Sequence, residues 1–183
     1  MQADLFAAAP QGLRYQPEFL DPGEEEQLLS FIRPLPFKAF EFHGYLGHRR
    51  VVSFGWKYDY GQRRLGDAPP LPGELKDLAA RVAEFLDRPA DFFAQALITE
   101  YAPGAAIGWH RDKGEFGEVA GLSLLSACRL RFRRPRPKGW ERYALEVAPR
   151  SLYRMQGEAR SVWEHSIPAV TALRYSITFR SLA

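Results

Sequence analysis

His110 and Asp112 stand two residues apart. In an extended segment, side chains at i and i+2 point to the same face. An imidazole and a carboxylate would then meet one ion together. A third ligand must come from elsewhere. His165 is the candidate, at the end of Gly157-Glu158-Ala159-Arg160-Ser161-Val162-Trp163-Glu164-His165 and just before Pro168. Two histidines and one carboxylate can hold Fe(II) on one face and leave positions open for oxygen and a co-substrate. Alone, a His-x-Asp pair also arises by chance on surfaces.

The segment Arg174-Tyr175-Ser176-Ile177-Thr178-Phe179-Arg180 sharpens the choice. As a strand it puts Arg174, Ser176, Thr178 and Arg180 on one face and the apolar residues on the other. Arginine is rarely buried without an anion. Two arginines among small hydroxyls suit a polar pocket for a dicarboxylate. The competing reading is the solvent face of an edge strand.

These residues need a frame. Asp21, Pro22 and Glu24 predict a helix start with a capping box, running to about residue 31 and stopping before Pro34. A second helix is expected over about 74–87, with Leu75, Leu78, Val82, Phe85 and Leu86 at helical spacing. A β-like run covers about 50–54, and 61–73 reads as a polar, proline-rich link. From residue 94 onward, strands dominate: 95–101, an alternating run over 122–132, then 143–147, 151–155 and 173–179. In the 122–132 run, Leu122, Leu124, Ser126, Cys128, Leu130 and Phe132 are expected on one face. Helices first and strands after predict an α+β, mainly β fold with two N-terminal helices on one side of a sheet structure.

Composition sets the limits. A chain of 183 residues can bury a core without disulfides or a structural metal. One cysteine, Cys128, excludes a disulfide framework and a cysteine-based zinc cluster. No apolar run is long enough to span a membrane. The first dozen residues lack the pattern of a secretory signal, so a cytoplasmic location is expected. The net charge is +3 and the pI about 9.1. Between Arg129 and Arg160 stand ten basic and three acidic residues. Such a basic segment suits an anionic partner, nucleic acid first. Compositional preference for arginine over lysine explains it as well.

The combination resembles the AlkB-like branch of the Fe(II)/2-oxoglutarate dioxygenases. The matching pieces are Leu97-Ile98-Thr99-Glu100-Tyr101-Ala102-Pro103-Gly104-Ala105, His110-Arg111-Asp112-Lys113, His165, and Arg174 to Arg180. The resemblance implies a double-stranded β-helix (jelly-roll) core over about 94–181. It implies His110, Asp112 and His165 as iron ligands, with O2 and 2-oxoglutarate as co-substrates. Arg174 would pair with the far carboxylate of 2-oxoglutarate. Tyr101 would hydrogen-bond it, with Thr99 and Ser176 in the same pocket. Arg180 would lie near the ligand carboxylate and the substrate. The implied reaction is oxidative demethylation of N-alkylated nucleic acid bases, releasing formaldehyde, succinate and CO2. A protein or small-molecule hydroxylase on the same core is the alternative, and a non-catalytic nucleic-acid-binding module is a further one.

In such enzymes an N-terminal lid grips nucleotides, and here that role falls to about 38–70. Arg49, Arg50, Phe54, Trp56, Tyr58 and Tyr60 combine cations with aromatics that could stack a flipped base, or pack on alternate positions of a strand. The chain departs from the better-studied DNA-repair members, which carry asparagine where Thr99 stands. They also carry an acid two residues after the ligand aspartate, where this chain has Gly114. Glu115, next to it, is the candidate substrate contact. Residues 1–12 read as a flexible tail before a single domain over 13–183. Within that tail, Gln2-Ala3-Asp4-Leu5-Phe6 resembles the peptide by which bacterial repair proteins dock on the sliding clamp. A monomer is expected.

Overall fold

The computed structural model describes residues 8–42, 45–59 and 61–183. In chain order its elements are β1 (Leu13–Gln16), α1 (Pro22–Ile32), β2 (Lys38–Phe42), β3 (Tyr45–Phe54), β4 (Trp56–Asp59), β5 (Arg64–Asp67) and α2 (Gly73–Phe85). There follow β6 (Gln95–Tyr101), β7 (Ile107–His110), β8 (Phe116–Leu124), β9 (Cys128–Pro135), β10 (Trp140–Val147), β11 (Leu152–Met155), α3 (Gly157–Ser161), β12 (Glu164–Ile167) and β13 (Arg174–Leu182). Among these residues, no helix is long and apolar enough to cross a membrane.

Two antiparallel sheets face each other. The major sheet runs β1-β11-β8-β13-β6-β3-β2 and the minor sheet β10-β9-β12-β7. This is the jelly roll expected. One apolar cluster lies outside the major sheet. There Leu29 and Ile32 of α1 and Leu75, Leu78 and Val82 of α2 pack on Ile98, Leu122, Ile177 and Phe179. A second cluster fills the space between the sheets, with Leu130, Phe132, Val147, Met155 and Trp163. Each strand of the major sheet therefore has one face toward the helices and one toward the interior.

Local signals explain the helices. Asp21 Oδ1 accepts from Glu24 N–H at 2.8 Å, and Glu24 Oε2 accepts from Asp21 N–H at 2.8 Å, closing the expected box. The helix ends at Ile32, two residues before Pro34, which cannot continue the ladder. The α2 stripe of Leu75, Leu78 and Val82 is buried as its spacing requires.

Several stretches depart from the sequence pattern. The alternating run over 122–132 is two strands in different sheets. Leu125, with φ of 73°, turns the chain out of β8, and β9 begins at Cys128. Leu122 and Leu124 thus face the helices, while Cys128, Leu130 and Phe132 face the interior. Periodicity cannot detect such a turn when it preserves the alternation. Within 61–73, β5 pairs with β4 as a hairpin, Trp56 opposite Asp67 and Tyr58 opposite Leu65. Its sequence, Arg-Leu-Gly-Asp, has no strand signal of its own. The short α3 also carries no pattern of its own.

Two glycines hold close approaches. Gly55, at φ +78°, breaks β3 from β4, and a Cβ there would sit 2.1 Å from the Ala94 carbonyl oxygen. Gly121 on β8 leaves room for the ring of Tyr153, whose Cζ would be 2.3 Å from an added Cβ. The N-terminal end of the described chain is tied down. Gln11 and Gly12 carbonyls accept from the backbone of Ala159 and Gln156 at 2.9 and 3.2 Å.

Candidate active site

Antiparallel pairing of β12 with β7 places His165 opposite His110, bringing together two residues distant in the chain. Their rings are 4.3 Å apart between centroids. Asp112 follows the end of β7 and turns inward. Its Oδ1 lies 3.4 Å from His110 Nε2 and 3.5 Å from His165 Nε2. One ligand atom from each residue falls within 4.8 Å of the others. His110 Nδ1 is 2.9 Å from the Gly108 carbonyl, which can only accept. Nδ1 therefore donates to that carbonyl, and Nε2 faces the site.

Burial pushes the Asp112 carboxyl up, but Arg180 first, then the two imidazoles, outweigh it and hold it well below the usual carboxylate range. Burial also holds His165 below its ordinary value, against the opposing pull of Asp112, so its ring is neutral. A carboxylate beside a neutral His165 imidazole suits a cation.

Two arginines fix the aspartate. Arg180 Nε donates to Asp112 Oδ2 at 3.2 Å, leaving Oδ1 for the histidine side. Arg160, on α3, donates to the carbonyls of Gly117, Asp112, Lys113 and Phe116 at 3.0, 3.2, 2.5 and 2.6 Å. It clamps the loop that carries the ligand. Sequence reasoning misses this residue, and its one hint is an arginine in the turn before His165.

Arg174 sits deeper, 1% exposed. β13 lies between β8 and β6 in the middle of the major sheet, which rules out the edge-strand reading. The register sets Arg174 opposite Tyr101, and Ser176 between Thr99 and Ser123. The guanidinium lies 4.7 Å over the Tyr101 ring, and Nε donates to Ser123 Oγ at 3.1 Å. Its Nη1 is buried with no hydrogen-bond partner. A buried guanidinium with an unused donor is costly unless an anion joins it. Burial pushes the Tyr153 phenol up, and the same group feels Tyr101, Arg174, Cys128 and Asp112. It stays protonated and so keeps an O–H to donate. Tyr153, Gly121 and Ser123 carry no sequence signal, because none belongs to a spaced pair.

The chain matches the model of the 2OG-Fe(II) oxygenase superfamily over residues 12–180. It belongs to that superfamily. Its relatives are AlkB-like. The Arabidopsis thaliana "Alkylated DNA repair protein ALKBH8 homolog" is 29% identical over 86% of this chain and 51% of its own length. The Mus musculus "tRNA (carboxymethyluridine(34)-5-O)-methyltransferase ALKBH8" is 31% identical over 87% of this chain and 24% of its own. The chain thus spans about half of the first relative and about a quarter of the second. The fold agrees with the solved structure of OsALKBH1, with a TM-score of 0.73 over 95% of this chain and 98% of that one, at 16% identity. The superfamily's Fe(II), 2-oxoglutarate and O2 fit the residues present: a convergent His-Asp-His set and a buried cation with a donor to spare.

The candidate lid residues of this oxygenase fall on both sides of the sheet. On β3, Arg49 stands opposite Tyr101 and so on the interior face, its guanidinium 4.2 Å over the Phe40 ring. Arg50 stands opposite Glu100 on the helix-facing side. Its Nε donates to Glu100 Oε1 at 2.7 Å, and the Tyr175 hydroxyl donates to Glu100 Oε2 at 2.9 Å. Phe54 is in the helix-side core. Trp56 and Tyr58 are half-buried on the β4–β5 hairpin, and Lys113 Nζ sits 5.1 Å over the Tyr58 ring. Gln95 joins this hairpin to the candidate ligand Asp112 through Arg180: its amide donates to the Trp56 carbonyl at 2.8 Å and accepts from Arg180 at 3.1 Å. Glu115 is half-buried on the loop after Asp112. Tyr60 and Gln2-Ala3-Asp4-Leu5-Phe6 lie outside the described residues.

Proposed function

We propose that this protein is an Fe(II)- and 2-oxoglutarate-dependent dioxygenase that demethylates N-alkylated nucleic acid bases. The observation that carries the reading is the pairing of the convergent His110, Asp112 and His165 atoms with the buried, underused guanidinium of Arg174 inside one barrel. The names of the relatives support the substrate class. They include an alkylated-DNA repair protein homologue and, from Arabidopsis thaliana, "RNA demethylase ALKBH9B", 27% identical over 73% of this chain and 30% of its own.

His110, Asp112 and His165 would hold the iron, and Arg174 would receive the far carboxylate of 2-oxoglutarate. Tyr101 and Tyr153 add hydroxyl donors, and Thr99 and Ser176 floor the pocket. Bound there, iron and co-substrate would supply O2 activation, with 2-oxoglutarate oxidised to succinate and CO2 and one oxygen atom entering the substrate's N-methyl C–H bond. The resulting hydroxymethyl amine loses formaldehyde, and the base recovers its N–H. Arg180 keeps Asp112 anionic and turned toward the histidines throughout. Segment 38–70 acts as the lid. Arg49, Trp56 and Tyr58 on this segment, with Glu115 on the loop after Asp112, are the contacts with the extruded base, and Arg50 anchors the lid strand from behind.

The test is formaldehyde release from a panel of methylated DNA and RNA oligonucleotides. Turnover that disappears in Asp112→Asn supports the reading. Succinate formation with no formaldehyde from any member of the panel would refute the substrate class. Absence of a visible charge-transfer band on anaerobic addition of Fe(II) and 2-oxoglutarate would refute the enzyme class.

A further inference from the structure

The minor sheet has an outer face that the two long helices do not cover, since both pack on the other sheet. On β9, Cys128, Leu130 and Phe132 point inward, so Arg129, Arg131 and Arg133 point outward. Arg133 lies between two indoles, 4.5 Å over the ring of Trp109 and 4.2 Å over that of Trp140. Arg131 also stands over Trp109, at 5.0 Å. Glu164 accepts from Arg133 at 2.6 Å and Ser166 from Arg131 at 3.0 Å, which tie both guanidinium groups to β12.

Two features are unexplained by folding. Trp140 is 43% exposed, and it buries little that the fold needs. Arg142 is exposed directly opposite Arg133 in the β9–β10 register. Glu164 already meets the charge of Arg133, so among the described residues the cation left without a partner at this cross-strand pair is Arg142, which a passing polyanion would engage.

From these observations we infer that the outer face of the minor sheet is a track for single-stranded nucleic acid leading away from the iron site. The inference rests on the proposed function and names the partner's path. Trp109 and the candidate ligand His110 are neighbours at the end of β7 and so point to opposite faces, which puts the start of the track on the outside of the wall whose inner face carries His110. It crosses β7, β12, β9 and β10, a width of about 14 Å at the usual strand spacing. Indole faces stack unpaired bases, and guanidinium groups between them meet phosphates. Acidic peptides would satisfy the arginines but not the exposed indole. A duplex would hide the base faces.

The variants are Trp140→Ala and Arg142→Glu, alone and combined. Both residues are exposed, and neither touches the metal or co-substrate residues. Fluorescence anisotropy is measured with an unmethylated labelled strand of about 15 nucleotides, its duplex, and an oligo-glutamate peptide. The wild type should bind the single strand best. The double variant should bind it roughly tenfold or more weakly. The slope of log affinity on log salt should shrink by about 0.7 for each phosphate that the variant no longer neutralises. Single-strand affinity unchanged in the double variant would overturn the inference. So would a wild type that binds no single strand, or that prefers the duplex or the peptide. A wild type that binds the strand through this face but releases no formaldehyde would refute the proposed demethylase and leave the track standing. Formaldehyde release with an unaltered kcat/KM on long strands in the double variant would refute the track alone.

Discussion

Arg174→Met should make the protein more stable without co-substrate and nearly unable to bind it. The two effects have opposite signs because the same group is a burden in one state and a partner in the other. In the structure the guanidinium is 1% exposed, bonded to Ser123 Oγ, and left with a free donor. Replacing a buried charge by an apolar side chain of similar volume is often stabilising by about 1–4 kcal/mol. Loss of the bond to Ser123 takes back about 1.5 kcal/mol. The net gain is roughly 1 kcal/mol, a rise in Tm of about 2–4 °C for a domain of this size. Binding moves the other way. Two charge-assisted bonds to a carboxylate are worth about 3–4 kcal/mol. Affinity for 2-oxoglutarate should fall by about 10²–10³-fold.

Thermal unfolding read with and without co-substrate checks both halves. At a hundredfold excess over Kd, 2-oxoglutarate with a redox-inert divalent metal should stabilise the wild type by about 2.7 kcal/mol. It should not move the variant at the same concentration. A variant that is less stable by more than about 1 kcal/mol and still gains the full shift would refute the reasoning, because Arg174 would then be a structural cation satisfied within the fold.

Other outcomes follow from the same geometry. Arg180→Leu removes the donor to Asp112 Oδ2 and should weaken divalent metal binding about 10- to 100-fold, read by calorimetry. Gly121→Ala drives a Cβ to within 2.3 Å of the Tyr153 ring and should cost about 1–3 kcal/mol by denaturant titration. Adding Tyr153→Leu should recover most of that loss. Arg50→Ala should leave single-strand affinity within about twofold, since its charge is spent on Glu100 on the far side of the sheet. A similar loss for Arg50→Ala and Arg49→Ala would contradict the assignment of the two faces.

What was legible in the sequence was whatever has a short period or a chemical signature. The alternation of β13 put Arg174, Ser176 and Arg180 on one face, and the structure keeps them there. The capping box at Asp21 was readable because its partners are three residues apart. The β8–β9 run failed for the opposite reason. Its period continues through a turn at Leu125 that changes sheet, and only φ records the change. Arg160 acts on backbone carbonyls distant in sequence, and nothing in the chain marks a carbonyl as a future acceptor. Arg49 and Arg50 looked equivalent as neighbours. A strand sends neighbours to opposite faces, and the pairing with Tyr101 and Glu100 decides which face each takes.

The same strand logic gives the proposed lid a mechanical connection to the proposed chemistry. Gln95 and Arg180 face each other across β6 and β13. Arg180 holds Asp112 with one nitrogen and Gln95 with another, and Gln95 holds the Trp56 carbonyl at the base of the β4–β5 hairpin. The path from metal ligand to lid is three hydrogen bonds long and runs through buried or half-buried groups. A hairpin that shifts on closing over a base must pull on Gln95, and through it on the arginine that orients the aspartate. Gln95→Leu cuts this link without touching a metal ligand. It should raise KM for methylated oligonucleotide more than KM for 2-oxoglutarate, and raise succinate formed without formaldehyde. Equal changes in both KM values would mean that Gln95 supports the barrel and transmits nothing.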